Sequence, residues 1–163
     1  MSESIIQLYI TGIALDNNKD VPVVILEDKL QEQVLPVPVG PFEANAIIVM
    51  LKGITTPRML THELFAHFML ENRFNITKLI LSGKPDTDYK ATLFYKRGRK
   101  KRLLDVRPSD GIALSLQFHN PVYAEKHLLQ SKNGILSRLL ASTLSPADNS
   151  LFIEKEKRDY TLM

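Results

Sequence analysis

Hydrophobic positions along this chain recur first at the spacing of strands and then at that of helices. Ile5-Ile6-Gln7-Leu8-Tyr9-Ile10 is rich in β-branched and aromatic residues and reads as a strand. Asp16-Asn17-Asn18-Lys19-Asp20 is a turn, and Val21 to Leu26 a second strand, with Pro22 at its start where a missing N–H is tolerated. Val34 to Val39 carries two prolines, which argues for an edge strand or an extended segment. Gly40-Pro41 then changes the period. Pro41 at the first helical position and Gly53 beyond the last turn bracket a helix from Phe42 to about Lys52. Thr61 is the expected N-cap of a second helix, His62 to about Arg73, with Leu64, Phe65, Phe68 and Met69 on one face.

Ile76 to Leu81 and Tyr89 to Tyr95 read as strands around a polar loop, and Leu103 to Val106 as a further short strand. Pro108-Ser109-Asp110 opens a third helix through about Gln117, with Ile112, Ala113 and Leu116 inward. Pro121 to Ala124 is extended, and Lys126 to Gln130 is helical in character. Beyond Ser131, Ile135, Leu136, Leu139 and Leu140 suit one amphipathic helix, Ser145-Pro146 breaks it, and the mixed charges of Glu154 to Tyr160 suit a loose end. Strands followed by interleaved helices and strands predict a single α+β domain, with three main helices packed against a mixed or antiparallel sheet. The expected division is a domain over residues 1–130 and a C-terminal helical extension and tail over residues 131–163.

A chain of 163 residues can bury one substantial core, and 44% hydrophobic with 24% charged residues is ordinary for a globular protein. No apolar run reaches the roughly 18 residues of a membrane span, and Met1-Ser2-Glu3-Ser4 does not begin a signal peptide. The absence of cysteine excludes disulfides, thiolate metal sites and a cysteine nucleophile, and it fits a cytoplasmic protein. A net charge of +3 says little about partners, but its distribution says more. Lys96-Arg97-Gly98-Arg99-Lys100-Lys101-Arg102 lies between strand signals and predicts a basic hairpin tip. It suits a grip on a nucleic-acid phosphate backbone, or a solvated loop that keeps edge strands from pairing.

Two blocks carry a family likeness. One runs Val39-Gly40-Pro41-Phe42-Glu43-Ala44-Asn45-Ala46-Ile47 and resumes at Arg58-Met59-Leu60-Thr61-His62-Glu63-Leu64. The other is Asp105-Val106-Arg107-Pro108-Ser109-Asp110-Gly111-Ile112-Ala113-Leu114, followed by Pro121-Val122-Tyr123. Together they resemble the bifunctional nuclease (BFN) domain family, in which three such helix starts occur in this order. The resemblance covers roughly residues 5–130 and implies cleavage of DNA or RNA. Gly111 stands where the family usually has alanine, and Gln117 where a basic residue is common.

Each block puts polar side chains at a helix N-terminus, a natural anion site. Arg58, Arg107 and Ser109 are the candidate phosphate ligands, because arginine grips phosphate oxygens in pairs. Glu43, Glu63, Asp105 and Asp110 are candidate catalytic carboxylates that would hold Mg²⁺ or Mn²⁺, with His62 as an alternative general base. The competing structural readings are first-turn acids, a cap at Ser109 or Asp110, and an Asp105–Arg107 pair. His67 and His127 read as surface or packing residues, His119 as a turn residue, and Tyr89 and Tyr95 as packing with some capacity to stack on bases. The expected function is a nuclease; the alternative is a non-catalytic module that binds nucleic acid or a phosphorylated ligand. A homodimer is expected, on the ground that proline-marked edge strands need covering.

Overall fold

The computed structural model describes residues 4–16 and 19–140. Strands β1 (Ile5–Asp16), β2 (Val21–Glu27) and β3 (Gln33–Pro38) come first. Helices α1 (Pro41–Lys52) and α2 (Thr61–Glu71), strands β4 (Phe74–Lys84), β5 (Asp88–Arg97) and β6 (Lys100–Val106), and helix α3 (Pro108–Phe118) follow. Strand β7 (Val122–Glu125), a 3-10 turn at Lys126–Leu128, strand β8 (Gln130–Ser131) and helix α4 (Lys132–Leu140) complete the described chain. The order in the single eight-stranded sheet is β6-β5-β4-β7-β1-β2-β3-β8. Among the described strands only β4 and β7 run parallel, so the sheet is mixed and the fold is α+β. No described helix is long and apolar enough to cross a membrane.

Alternation along the strands separates two faces. Leu8, Val24, Leu26, Leu35, Val37, Leu79, Leu81, Leu93 and Val122 are buried on the face that α1, α2 and α3 cover, with α3 packed against both other helices. Ala14, Val23, Val34 and Ile135 form a second, smaller core, which brings α4 against the β1–β2–β3 end of the sheet. The charged stretch at 154–160 and the Ser145-Pro146 break lie outside the described residues.

Several departures from the sequence pattern have local causes. Strand β1 runs six residues past Ile10, because a bulge between Ile10 and Gly12 shifts the register and interrupts the alternation. The basic run is only partly a tip. Lys96 and Arg97 end β5, Gly98 turns in the left-handed region, and Lys100 to Arg102 are paired in β6. Lys126 to Gln130 is one 3-10 turn running into β8.

The largest correction concerns α2. Its buried residues are Ala66 and Met69, with His62 half-buried on the same side, while Leu64, Phe65 and Phe68 are exposed at 58%, 48% and 59%. Positions 62, 66 and 69 form one helical stripe, and the small Ala66 sits at its centre facing α3. This choice of face turns His62 toward α3. Gly111 has a packing role as well: a Cβ there would lie 2.6 Å from a methyl of the buried Leu79, so glycine lets α3 approach β4 closely.

Candidate functional site: a junction of three helix N-termini

Helices α1, α2 and α3 each carry an acid at the third position, Glu43, Glu63 and Asp110. An acid there can reach back to the N-cap N–H or serve elsewhere. Glu63 reaches back: its Oε2 accepts the Leu60 N–H at 2.8 Å. Leu60, not Thr61, is the N-cap, and because leucine has no acceptor, Glu63 supplies the polar half of the cap. Glu43 and Asp110 turn instead toward Arg107, the N-cap residue of α3.

Arg107 is the hub. Its Nε and Nη2 donate to the two oxygens of Asp110 at 2.7 and 3.0 Å, and its Nη1 lies 3.2 Å from Glu43 Oε1. The Glu43 carboxylate folds over Gly40, where any Cβ would collide with it. On the other side of Asp110, His62 Nε2 lies 3.2 Å from Oδ1, and His62 Nδ1 is buried without a protein partner. The Arg107 side chain is 67% exposed, whereas Glu43, His62 and Asp110 are 19%, 15% and 28% exposed. The guanidinium therefore lies outermost over a largely buried row of acids and imidazole.

Partial burial alone would push the Asp110 carboxyl up. The hydrogen bonds from Arg107 and His62, with their charges, outweigh it and hold the group below the ordinary aspartate range. The hydrogen bond to Asp110 holds the Arg107 guanidinium above its usual value. Because the folded group titrates below the unfolded one, its stabilisation is fully present above about pH 3.9 and is lost as pH falls through the folded value. Asp110→Asn is thus expected to unfold at lower urea than the wild type at pH 7, by about 1–2 kcal/mol since Arg107 is well exposed. That gap should narrow below pH 4; a gap that stays constant with pH would mean that the carboxylate charge contributes nothing.

The other sequence candidates lie elsewhere. Asp105 is exposed in β6 and accepts the Thr92 hydroxyl at 3.1 Å. It pairs opposite Thr92, on the face away from α1–α3, so neither a convergence with the other acids nor an Asp105–Arg107 pair forms. Arg58 is exposed in the α1–α2 connection, and Ser109 is buried at 8%. Among the described residues no three His, Asp or Glu side chains gather as a metal-ligand set. His67 pairs with Glu71, His127 Nε2 meets the Gly83 carbonyl, and His119 caps α3. Tyr95 packs on Phe74 with ring centroids 6.0 Å apart, and Tyr89 packs against the core. Glu63 also borders a cavity of about 500 Å³ between α1, α2 and α3, together with Met50, Leu70, Gln117 and His119.

The Arg107–Asp110 link was missed in favour of an Asp105–Arg107 pair, although an i, i+3 spacing at a helix start was the signal that could have found it. The His62–Asp110 link, across 48 residues, had no sequence signal beyond both residues opening helices. The basic residues 96–102 are all exposed, except that Arg97 also lies over the Phe74 ring at 5.0 Å. Seven residues of β6, at about 3.3 Å each, separate this hairpin from Arg107 by about 20 Å.

Two uncharacterized proteins from two strains of Mycobacterium tuberculosis are each 27% identical to this chain over 123 residues, covering 76% of it and 73% of their own length. The model of the bifunctional nuclease domain matches residues 24–136, a stretch that contains all three helix starts and the Arg107 hub. The chain belongs to the bifunctional nuclease domain family.

Proposed function

We propose that this protein binds nucleic acid and cleaves its phosphodiester bonds at the junction of the three helix N-termini. The observation that carries the reading is Arg107, exposed and held between Glu43 and Asp110 with His62 behind. A guanidinium offers paired N–H donors to two phosphate oxygens. A bound phosphodiester competes with Asp110 and Glu43 for those donors. Asp110, loosened from Arg107, remains against His62, and the two hold a proton beside the scissile group for general acid–base work.

The four candidate metal ligands do not act as one set, since Glu63 caps α2 and Asp105 lies on the far face of the sheet. Glu43 and Asp110 are the pair that meet around one side chain. Once Arg107 turns to a phosphate, these two would be the carboxylates to hold Mg²⁺ or Mn²⁺, ions that keep several waters and use one or two carboxylates. When bound, the ion supplies charge to a phosphoryl oxygen and an activated water.

Purified protein should cleave single-stranded RNA or DNA in Mg²⁺ or Mn²⁺ and lose that activity in chelator. Equal rates in both would remove the metal and leave the His62–Asp110 pair as the source of catalysis. Tight binding without cleavage under any condition would favour the second reading, a module that binds nucleic acid or a phosphorylated ligand. The exposure of all six basic residues of the hairpin supports that reading equally.

A further inference from the structure

Strand β6 ends the sheet, and no described strand pairs with its outer edge. Six of its seven residues are exposed, among them Leu103 at 61% and Leu104 at 50%. A long open edge is a template for another strand. Basic residues are a common defence, and Lys100, Lys101 and Arg102 fit that role, but they occupy only one end. Two adjacent exposed leucines at the middle do not suit an edge meant to stay unpaired.

The face of each side chain follows from the pairing with β5. Lys100, Arg102, Leu104 and Val106 lie opposite Arg97, Tyr95, Leu93 and Ala91, on the helix-covered side. Lys101, Leu103 and Asp105 lie opposite Lys96, Phe94 and Thr92, on the other side. We propose that two copies of this chain join edge to edge through β6, antiparallel about Leu103, making one continuous sheet across a two-fold axis.

The charges select that register. A two-fold perpendicular to the sheet keeps each face on its own side, so directly opposed residues must share a face, and only registers centred on a residue are allowed. Centring on Arg102 sets two guanidiniums against each other. Centring on Leu104 sets Asp105 against the partner's Leu103, so no opposite charge meets it within the strand. Centring on Leu103 sets Lys101 against the partner's Asp105, twice, with Leu103 against the partner's Leu103. Opposite charges directly across a pair are favourable and like charges are not.

This geometry has a functional consequence that rests on reading the Arg107 cluster as the phosphodiester site. Within one chain the basic hairpin and Arg107 lie at opposite ends of β6. In the pair, Lys100 falls opposite the partner's Val106, so the hairpin tip meets the α3 start of the other copy. There Arg99 stands across from the partner's exposed Arg107, so both guanidiniums face one phosphate strand. Each site is thereby completed by the other copy's hairpin, and a bound strand can run from one to the other.

The test needs neither nucleic acid nor activity. The wild-type chain should sediment as a dimer at micromolar concentration. Lys101→Asp and Asp105→Lys each set like charges across both symmetric pairs and should raise the dimer dissociation constant by about 10- to 100-fold. An equimolar mixture of the two variants should recover a heterodimer, and the double variant in one chain should recover the homodimer. Both substitutions are at exposed positions, and the recovered pairs report directly that the variants fold. A monomeric wild type, single variants as dimeric as the wild type, or a mixture that stays monomeric would each overturn the proposal. The nuclease assay on the same wild-type protein fails or succeeds separately.

Discussion

Asp110→Asn should lower phosphodiester cleavage by about 10²- to 10⁴-fold, the usual contribution of a positioned acid–base pair, while Asp105→Asn, compared at a concentration where both proteins are dimeric, should leave the rate near that of the wild type. Four residues separate the two aspartates, and the sequence treats them alike. Asp110 touches Arg107 and His62, whereas Asp105 touches Thr92 on the opposite face of the sheet. An amide at position 110 keeps the Oδ1 that Arg107 Nη2 and His62 both meet, but it puts an N–H donor where Oδ2 accepts from Arg107 Nε, and it removes the charge. The fold should survive with modest destabilisation, because Asp110 is not the residue that caps α3. Rates must be taken per folded molecule, from single-turnover cleavage beside circular dichroism of the same sample. If Asp105→Asn is the dead variant and Asp110→Asn cleaves normally, the site lies on the open face of the sheet and the junction is only structural.

Replacing Lys96, Arg97 and Arg99 with alanine should weaken binding to single-stranded nucleic acid on the order of 100-fold near 0.1 M salt, with no change in sequence preference. Each cation that neutralises a phosphate on a single strand contributes roughly 0.7 to the log–log salt slope, so removing all three should flatten it by about 2. These residues lie outside β6, so strand pairing between copies is not disturbed. Folding should change little, since exposed charges contribute little; Arg97 over Phe74 adds about 0.5–1 kcal/mol. An unchanged slope, measured by titration at several salt concentrations, would reduce the hairpin to a solvated tip. Cleavage at saturating substrate should fall much less than in Asp110→Asn, because the hairpin holds the strand and does not touch the reacting phosphate.

Much of this protein is written locally. Pro41 and Gly53 delimit α1, Pro108 opens α3, and alternating residues mark β2, β4 and β5, because capping and side-chain direction depend on neighbours within a turn or a pleat. The three acids at helix starts and the run of basic residues were legible for the same reason, and the family likeness rests on those same segments. What each acid does was not. Asp105 and Asp110 part because one is in a strand whose side chains alternate between faces and the other is on a helix packed against only one of those faces. The bulge at Ile10 carries β1 onward past the point where its period fails. Helix α2 buries Ala66 and Met69 rather than its phenylalanines, because that face packs against α3 and β4. That rotation, set by helix packing and not by the composition of α2, is what brings His62 to Asp110 across 48 residues of chain.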